Sequence, residues 1–564
     1  MTGSVRTTTA QLVRDHQERL DRALAAIRDR GYWSAYPESP SPKVYGEGAA
    51  EAGRQAYEAH LGKPFELDQP GTTGQVGAER SPYGPELGVS YPRPDVDVLL
   101  PAMQAAVPAW RDAGPQARAA VCIEIVDQVN ARSFEIANAV MHTTGQAFVM
   151  AFQAGGPHAQ DRALEAIGFA YAEQARYPRT ATWEKPQGKR PPLRMEKTFS
   201  IVPRGIGLVV GCTTFPTWNS YPGLFASLAT GNAVVVKPHP RAVLPLAITV
   251  AVAREVLAGA GFSPDLVTLA AEEPGGALAS TLATRPEVGI VDFTGSTAYG
   301  EWLEQNARQA QVYTEKAGVN AVLLDSTDDY AGMLGNLAFS LSLYSGQMCT
   351  TPQNLFVPRD GIDTDQGHRS VDELAADLGG ALDRMLGEDA KAVELLGAIV
   401  NEDVLARLEG APSLGPIAVP SRTVKHPAFP DATVRTPAVV RLDAGDEATY
   451  GRECFGPVAF LVTTGSTAES VAALRRTVGA HGALTTSVYS TDPDVLDRVR
   501  EAALEAGVAL SENLTGGVYV NQSAAFSDFH ATGANPAANA TFTDGAFVAG
   551  RFRVVQSRRH LPER

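Results

Sequence analysis

Residues 205–213 read GIGLVVGCT and residues 231–238 read GNAVVVKP, two short and almost continuously apolar runs. Runs of this kind are typical of strands buried on both faces of a parallel sheet. The further runs are PDLVTLAA (264–271), EVGIVDFTG (287–295) and NAVLLD (320–325). Helical stretches such as residues 244–261 separate the runs, so strands and helices alternate from Ile206 to about Asp325. This alternation predicts a parallel sheet covered by helices on both faces.

A second α/β pattern continues to about residue 516, and helical sequence precedes the first one. Over residues 96–177 apolar side chains recur at spacings of three and four, which predicts three or four helices. An amphipathic helix is expected over residues 10–31, ended by Gly31, and the turn-rich residues 66–94 are expected to lie on the folded body. Strands of the second pattern are predicted at LFVP (355–358), TPAVVRL (436–442), PVAFLVT (457–463) and TTSVYS (485–490).

These patterns predict an α/β protein with two parallel α/β domains and a β-arm. The arm has extended edges that one subunit alone would leave unpaired, so we expect a homodimer or a dimer of dimers. The expected division is an N-terminal helix and irregular extension (1–94), a first α/β domain (95–180 and 203–317), a second (318–515), and the arm with the tail (181–202 and 516–564).

The composition limits the classes of partner. With 48 Lys and Arg against 63 Asp and Glu, the formal net charge is −15, which argues against binding to nucleic acid or to an anionic membrane. No apolar run approaches the roughly 18 residues of a membrane span, and the N-terminal sequence lacks a signal peptide's apolar core, so a cytoplasmic protein is expected. The four cysteines and ten histidines are scattered without paired-ligand spacing, so neither a disulfide framework nor a catalytic metal is expected.

Two segments carry candidate catalytic side chains. Cys349 lies in YSGQMCTT (344–351), and a nucleophilic cysteine needs a lowered pKa or a base, together with donors for the oxyanion it creates. Gly346 would let the backbone approach a cofactor or substrate, and if Cys349 begins a helix its own amide could donate to the oxyanion. Glu315 lies in TEKAG (314–318), where a carboxylate would suit a general base that activates water.

Three other features suit a ligand that carries phosphate and hydroxyl groups. The segment DFTGSTAYG places Gly295, Ser296 and Gly300 where a strand turns into a helix, and a helix N-terminus suits a pyrophosphate. Lys237 ends a strand of the buried type, where lysine is rare unless its head reaches a polar ligand. Glu453 precedes a Phe-Gly-Pro turn in ECFGPVAF. Each feature alone also fits an ordinary structural role.

Together these segments resemble the aldehyde dehydrogenase superfamily in both order and spacing. The 34 positions from Glu315 to Cys349 match the spacing that this family uses between base and nucleophile. The resemblance covers the chain from about residue 95 onward. Its motifs are PRGIGLVVGCTTFP (203–216), LATGNAVVVKP (228–238), FTGSTAYG (293–300), GQMCTTP (346–352) and ECFGPV (453–458), besides TEKAG.

The resemblance implies oxidation of an aldehyde to an acid with a nicotinamide cofactor, in a cleft between two α/β domains. Cys349 would add to the aldehyde to give a thiohemiacetal and, after hydride transfer, a thioester, which water activated by Glu315 would hydrolyse. The resemblance also assigns cofactor contacts. These are Lys237 for the adenosine ribose, Gly295 and Ser296 with the following Gly300 for the pyrophosphate, Glu453 for the nicotinamide ribose, and Phe455 beside the nicotinamide ring.

Two positions depart from the family pattern. Where the family has an oxyanion-hole asparagine, counting along the chain places Thr214, a shorter single donor, and Asn219 five residues later is the alternative donor. Members that prefer NAD often have a glutamate three residues after the lysine, where this chain has Pro240 between His239 and Arg241. Without a carboxylate to repel a 2′-phosphate, and with two potential cations, the electrostatics favour NADP over NAD.

The N-terminal region narrows the resemblance and suggests a substrate. The segments YWSAYPESPSPKVYGEGAAEAG (32–53), GKPFELDQPGT (62–72) and SPYGPELGVSYP (81–92) resemble phenylacetic acid degradation proteins of the PaaN type. That resemblance implies the ring-opened, CoA-linked semialdehyde of aerobic phenylacetate catabolism as the aldehyde.

Three other functions remain open at this stage: a general aldehyde dehydrogenase, a CoA-acylating dehydrogenase, and a scaffold that keeps the fold without catalysis. Glu315 argues against acyl transfer to CoA, which has little use for a water-activating base. The specialised N-terminal segment favours a dedicated substrate over a general scavenger. Thr214, which departs from the family pattern, is consistent with the non-catalytic scaffold, whereas Cys349 together with Glu315 argues against it.

Overall fold

The first α/β pattern forms a parallel sheet of five strands in the computed structural model, which describes residues 8–562. Its two central apolar runs are buried along their whole length. The run NAVLLD was grouped with these strands, but Ala321–Leu324 belongs to the second sheet, on the side of residue 318 where the domain division placed it, and Gln311–Glu315 takes the outer position here. QVYTE has only Val312 and Tyr313 as apolar or aromatic residues, so it lacks the continuous apolar run of its neighbours. The strand order is Val267–Leu269, Ala233–Lys237, Ile206–Val210, Val288–Thr294 and Gln311–Glu315.

Helices pack against this sheet, and the region that precedes it is helical as expected. Between residues 96 and 175 the chain forms five helices, where three or four were expected. The additional breaks are short; at the first, Gly114 takes a positive φ of 84°, and only Ala113 separates the two helices. The helices of this half are Val96–Asp112, Gly114–Ala131, Ser133–Thr144, Phe148–Gly155, Pro157–Ala175, Pro216–Ala229, Leu244–Gly259, Leu278–Ala283 and Thr297–Asn306.

The second sheet has seven strands among the described residues, and its neighbours run parallel except at one edge. There Ile417–Val419 pairs antiparallel with Ala438–Asp443, which the expectation of a wholly parallel domain did not include. The strand order is Ile417–Val419, Ala438–Asp443, Val458–Thr464, Asn354–Pro358, Ala321–Leu324, Thr485–Tyr489 and Ala509–Glu512. The helices that follow in this part of the chain are Tyr330–Ser342, Val371–Leu386, Asp389–Leu396, Glu402–Gly410, Glu447–Tyr450, Thr467–His481, Pro493–Ala506 and Gly545–Ala549.

Both faces of the second sheet are buried in separate apolar clusters. Val322 and Leu324 lie in one cluster, and Ala321 and Leu323 lie in the other. Successive side chains of a strand point to opposite faces, so this alternation places helices on both sides of the sheet. The cluster of the first sheet also takes in side chains of the N-terminal helix. In residues 8–562 no helix is both long and apolar enough to cross a membrane.

The extended residues form an antiparallel sheet of three strands, which we call the arm. Arg190–Pro203 is its central strand, with Thr180–Gln187 on one side and Phe552–His560 on the other. Smaller pairs are Thr72–Val76 with Tyr91–Pro94, Ser326–Thr327 with Asp363–Thr364, and Thr423–Val424 with Val434–Arg435; short 3-10 turns are Pro264–Leu266, Leu343–Gly346 and Ala411–Ser413.

A buried ion pair ties the base of the arm to the first sheet. Arg551 is completely buried, and its Nη1 donates to Oδ2 of Asp292 at 2.8 Å. The same Nη1 donates to the hydroxyl of Ser227 at 2.7 Å. Asp292 lies within Val288–Thr294, an interior strand of the sheet, so the arm is anchored in the interior of the first domain.

The N-terminal residues lie on the folded body, as the sequence suggested. The first helix is Thr9–Asp29, ending before Gly31 because Arg30 takes the left-handed conformation; short helices follow at Pro42–Tyr45 and Ala49–Glu58. Buried Glu79 accepts hydrogen bonds from the amides of Val243 and Leu244, where the helix Leu244–Gly259 begins. The turn-rich segment therefore supplies a hydrogen-bond acceptor for two backbone amides of the first domain.

The N-terminal extension and a late loop of the chain meet beside the helix Pro157–Ala175 of the first domain. Trp33 packs against Phe526 with ring centroids 4.8 Å apart, and the Arg30 guanidinium lies 3.9 Å from the ring of Phe529. Arg30 also forms an ion pair with the buried Glu165 at 3.5 Å. We call residues 513–544 the C-terminal loop, and the N-terminal extension packs directly on it.

Candidate active site

A cavity of about 740 Å³ lies between the two sheets. From the first sheet it is lined by residues at the carboxyl ends of strands, among them Lys237 and Glu315. From the second half it is lined by Cys349 and Glu453, which precede the strands Asn354–Pro358 and Val458–Thr464. Ligands of open parallel sheets bind outside the carboxyl ends of the strands, so the cavity has the usual position of a binding site.

Cys349 lies in a turn and does not begin a helix, contrary to one of our expectations. The turn follows a bend in which Tyr344 and Ser345 take left-handed φ angles of 54° and 50°. The hydroxyl of Ser345 donates to the carbonyls of Leu396 and Arg435, both at 3.1 Å. These buried hydrogen bonds hold a conformation that the two side chains would otherwise avoid.

Gly346 is required by this bend. Its φ is +65°, and a Cβ there would overlap the carbonyl oxygen of Gly456. The sequence suggested that a cofactor or substrate approaches this glycine, but the group that approaches is backbone. Gly346 therefore fixes the cysteine turn against the segment that carries Glu453 and Phe455.

Asn320 fixes the backbone at the cysteine from the other side. Its Nδ2 donates to the carbonyl of Cys349 at 2.8 Å and to that of Thr351 at 3.0 Å. Its Oδ1 accepts from the amides of Leu484 and Thr485. Both donor hydrogens and both acceptor positions of this side-chain amide are used, so Asn320 positions the cysteine without touching its sulfur.

Glu315 is the last residue of its strand and is almost completely buried. Its Oε2 accepts from Nδ2 of Asn219 at 3.3 Å and lies 3.1 Å from Nε2 of His530, while Oε1 has no hydrogen-bond partner within residues 8–562. Burial alone would raise the pKa of Glu315, but His530, the neighbouring Cys349 thiol and the charge of Arg162 outweigh it, so the pKa lies below its usual value. Glu315 is thus an ionised carboxylate with one free oxygen.

His530 is a site residue that the sequence did not reveal. Its Nε2 lies 3.9 Å from Sγ of Cys349, and the polar atoms of Cys349, Glu315 and His530 all lie within 4.8 Å of one another. The ring of Trp218 meets the imidazole edge-on at a centroid distance of 4.7 Å and fixes its orientation. His530 belongs to the C-terminal loop, 181 positions after the cysteine, where no local motif marks it.

Burial raises the pKa of the Cys349 thiol well above its ordinary value, and the Glu315 carboxylate adds to the rise. The resting sulfur is therefore protonated at neutral pH. Because the thiolate is the nucleophilic form, the site needs a group that stabilises the sulfur's negative charge.

At the other sheet, Lys237 forms a buried ion pair with Glu272. Oε2 of Glu272 also accepts from the amide of Leu278 at 2.8 Å, which fixes the carboxylate. Glu272 lies just beyond the outer strand Val267–Leu269, and both side chains line the cavity. The sequence placed the lysine here but did not reveal its partner.

A sequence model described as the aldehyde dehydrogenase family matches residues 90–534. The chain belongs to the aldehyde dehydrogenase family. The match includes Lys237, Glu315, Cys349 and Glu453, the residues on which the sequence resemblance depended.

Solved structures agree with this assignment. A crystal structure of an NAD-dependent aldehyde dehydrogenase from Burkholderia multivorans is 60% identical to the chain, has a TM-score of 0.97, and is aligned over 98% of this chain and 99% of that one. A 1-pyrroline-5-carboxylate dehydrogenase is 18% identical with a TM-score of 0.71, over 94% of this chain and 99% of that one, and shares the fold.

Curated relatives are more distant. A benzaldehyde dehydrogenase [NAD(+)] of Pseudomonas putida is 24% identical over 67% of this chain and 72% of its own length. An aldehyde dehydrogenase of a Fusarium species is 25% identical over 48% of this chain and 53% of its own length. The chain thus spans about half the length of some curated relatives that it matches.

Thr214 and Asn219, the two candidates for the oxyanion donor of this aldehyde dehydrogenase, both line the cavity. Asn219 lies in the first turn of Pro216–Ala229, where its Nδ2 reaches Glu315 and its Oδ1 accepts from the Cys212 thiol at 3.5 Å. The Thr214 side chain contacts the same thiol, whose pKa burial raises to about 11. Of the two, Asn219 is the one hydrogen-bonded to Glu315.

Both premises of the preference for NADP need correction. A carboxylate is present beside Lys237, because Glu272 enters from another strand. Burial, with the charges of Lys237 and Arg241, lowers the pKa of His239 to about 4, so the imidazole is neutral at pH 7, and its Nδ1 accepts from the amide of Arg241. Arg241 is exposed and is the remaining cation of the two proposed.

Gly295 and Ser296 line the cavity at the start of the helix Thr297–Asn306, whereas Gly300 does not line it. The Ser296 hydroxyl already accepts from the amide of Tyr299 and caps the helix. A Cβ at Gly300 would meet the Lys316 side chain at 2.6 Å, so close packing of the helix accounts for this glycine. The backbone at Gly295 and Ser296 is therefore the part of the motif that faces a ligand.

Glu453 and Phe455 line the cavity near the cysteine turn, as the resemblance implied. Burial raises the pKa of Glu453 to about 7, against the opposing effects of the Gly318 amide and Arg407. Taken with Lys237 and the helix start at Ser296, the lining has the ammonium, amide and carboxylate groups that a dinucleotide requires. The expectation that the site works without a metal remains a prediction.

Proposed function

We propose that this protein oxidises an aldehyde to a carboxylic acid through a covalent intermediate on Cys349. The observation that carries the proposal is that one cavity holds Cys349, an ionised Glu315 with a free oxygen, and the dinucleotide-type lining around Lys237. A nucleophile, a base and a hydride-acceptor site in one cavity are the parts that this reaction needs.

The residues act in two stages. Sγ of Cys349 adds to the aldehyde carbon as the thiol proton is lost, and the carbonyl oxygen takes the electron pair of the C=O bond. A nicotinamide bound in this cavity supplies the hydride acceptor, and the carbon is left as a thioester of Cys349. Oε1 of Glu315 then takes a proton from water as the water oxygen attacks that carbon, the C–S bond breaks, and the acid leaves.

The surroundings of Cys349 favour hydrolysis of an acyl chain over its transfer to CoA. Phe215, Trp218 and Met348 pack in one apolar cluster beside the reactive turn. Such side chains suit the carbon chain of an aldehyde and keep bulk water away from the thioester. Glu315 provides the base that hydrolysis needs and that CoA transfer does not.

For the cofactor we infer a preference for NAD. A carboxylate that already pairs with Lys237 can accept from the adenosine ribose hydroxyls, but it repels a 2′-phosphate. This inference reverses the preference for NADP that the sequence suggested, because Glu272 comes from a different strand than the one that carries the lysine.

For the substrate we propose the CoA-linked semialdehyde of phenylacetate catabolism. Its support is the resemblance of residues 32–53, 62–72 and 81–92 to proteins of the PaaN type. A homodimer or dimer of dimers joined through the arm is proposed because one subunit alone would leave the strand edges of the arm unpaired. A cytoplasmic location is proposed from the sequence pattern. Light scattering at micromolar concentration tests the assembly, and a stable monomer would contradict the role given to the arm.

The direct test of activity is absorbance of the reduced nicotinamide with a medium-chain CoA-linked semialdehyde and with a simple aldehyde. We expect reduction with the wild-type protein and with Cys122→Ala, whose cysteine is buried in the helix Gly114–Ala131, and none with Cys349→Ala. A higher kcat/KM for the CoA-linked aldehyde would support the dedicated substrate. Absence of reduction on every aldehyde, despite cofactor binding, would favour the scaffold.

A further inference from the structure

We propose that His530 is a catalytic residue that shares its Nε2–H between Glu315 and Cys349 and stabilises the thiolate. The inference deepens the proposed function and rests on it. In the resting protein the hydrogen bond is made to Glu315; when the sulfur becomes negative, the same N–H turns to Sγ. His530 thus serves both the nucleophile and the base.

The position of the imidazole hydrogen follows from its neighbours. Oε2 of Glu315, 3.1 Å from Nε2, belongs to an ionised carboxylate and can only accept. Nε2 must therefore carry a hydrogen, whether the ring is neutral or charged. A nitrogen that donates cannot also receive the thiol proton, so the geometry assigns His530 the role of donor and not of base.

The distances suit a donor that changes partner. Sγ lies 3.9 Å from Nε2, at the long end of a hydrogen bond to sulfur, and a charged sulfur attracts an N–H more strongly than a thiol does. The edge-on contact with Trp218 restrains the ring beside both acceptors. A small movement of Sγ or of the ring is enough to exchange one hydrogen bond for the other.

The proton balance involves Glu315 and solvent. The thiol proton passes to the Glu315 carboxylate and from there to water, and Sγ keeps the electron pair that forms the bond to the aldehyde carbon. During hydrolysis the N–H is again on Oε2, which leaves Oε1 as the oxygen that takes a proton from water. When the C–S bond breaks, the leaving thiolate again finds the donor in place.

Other charged or titratable groups also surround this centre, and the test must allow for them. Arg162 lies behind Trp218, with its guanidinium carbon 4.0 Å from the ring, and favours the negative forms of Glu315 and Cys349. The remaining groups are Cys212 and Glu453, which face Cys349, and Glu165, which binds the amide of Phe526 in the C-terminal loop. None of these changes in the variants used below.

The test is the pH dependence of Cys349 alkylation by iodoacetamide, without aldehyde or cofactor. His530→Leu, of similar volume but without a donor, should raise the pH midpoint by about one unit and slow alkylation at pH 7 about tenfold. His530→Gln keeps an amide donor and should shift the midpoint less. Glu315→Gln removes the competing charge and should shift it downward. His368→Ala, an exposed histidine, should leave it unchanged.

The outcomes separate this proposal from the proposed function. A midpoint for His530→Leu equal to that of the wild type would overturn the role of His530, and so would a His530→Gln midpoint raised as far as that of His530→Leu, since that would indicate a base. If His530→Leu does not fold, a shift of Glu315→Gln that is not downward overturns the proposal. Aldehyde-dependent cofactor reduction is a separate measurement, and its absence would refute the function without altering these midpoints.

Discussion

At the scale of single residues, the Lys237–Glu272 pair determines the charge that a nucleotide meets in the cavity. The ammonium attracts hydroxyl oxygens and phosphate alike, but the carboxylate accepts only from hydroxyls. Since the pair is buried, solvent screens the repulsion of a 2′-phosphate only weakly. Glu272 is therefore the side chain that should separate the two nicotinamide cofactors.

Glu272→Gln should raise the ratio of kcat/KM for NADP to that for NAD by about tenfold, which corresponds to roughly 1.4 kcal/mol. The amide keeps the size of the side chain and removes its charge. Glu273→Gln, a change at the exposed neighbouring position, is the matched control and should leave the ratio unchanged. An unaltered ratio in Glu272→Gln would mean that the carboxylate does not face the ribose.

The residues found from sequence and those missed differ in one physical respect. Cys349, Glu315 and Lys237 could be named because their segments, taken together in order and spacing, resemble a known family. His530 and Asn320 act through contacts with elements far away in the chain, the first from an irregular loop and the second through backbone carbonyls. Without the fold, nothing near either residue distinguishes it from an ordinary polar side chain.

At the scale of elements, the turn before Cys349 holds the cysteine in a fixed position. Its left-handed residues are held by hydrogen bonds from Ser345, and the carbonyl of Gly456 leaves no space for a side chain at Gly346. A change in this turn moves the sulfur relative to Glu315 and His530, which belong to other elements. Stability and catalysis are therefore coupled at this position.

Gly346→Ala should lower the free energy of unfolding by more than Gly188→Ala, a glycine of the arm with φ +67° and no atom near its Cβ position. The left-handed φ alone costs about 1–2 kcal/mol in both variants. The overlap with Gly456 adds to this only at Gly346 and should also reduce kcat. Urea denaturation with a parallel activity assay tests this; equal losses would show that the turn adapts.

Strands and helices with a continuous period were predictable, and those with a mixed pattern were not. Ile206–Val210 and Ala233–Lys237 were located because burial on both faces requires an apolar residue at every position. Gln311–Glu315 lies at an edge and has three polar residues in five, and the edge strand Ile417–Val419 is only three residues long. The sequence period is a weak signal in such segments, so their place in the sheet depends on pairing with strands far away in the chain.

At the scale of the whole molecule, the arm depends on an interaction made inside the first domain. Arg551→Ala would leave Asp292 charged and buried without its partner, at a cost of about 3–5 kcal/mol. Thermal or urea denaturation should show a large loss of stability. Arg54→Ala, which breaks fully exposed ion pairs, should cause no measurable change. Equal midpoints for the two variants would contradict the anchoring role of Arg551.

The contact between the N-terminal extension and the C-terminal loop has a consequence for biosynthesis. The ribosome synthesises the chain from the N-terminus, so Trp33 and Cys349 are made before Phe526 and His530. Until residues 526–530 are made, the thiol lacks its imidazole neighbour, and the extension lacks the loop on which it packs. A chain terminated before residue 513 would therefore hold Cys349 without the donor that we propose for it, so that role can begin only after most of the site has been synthesised.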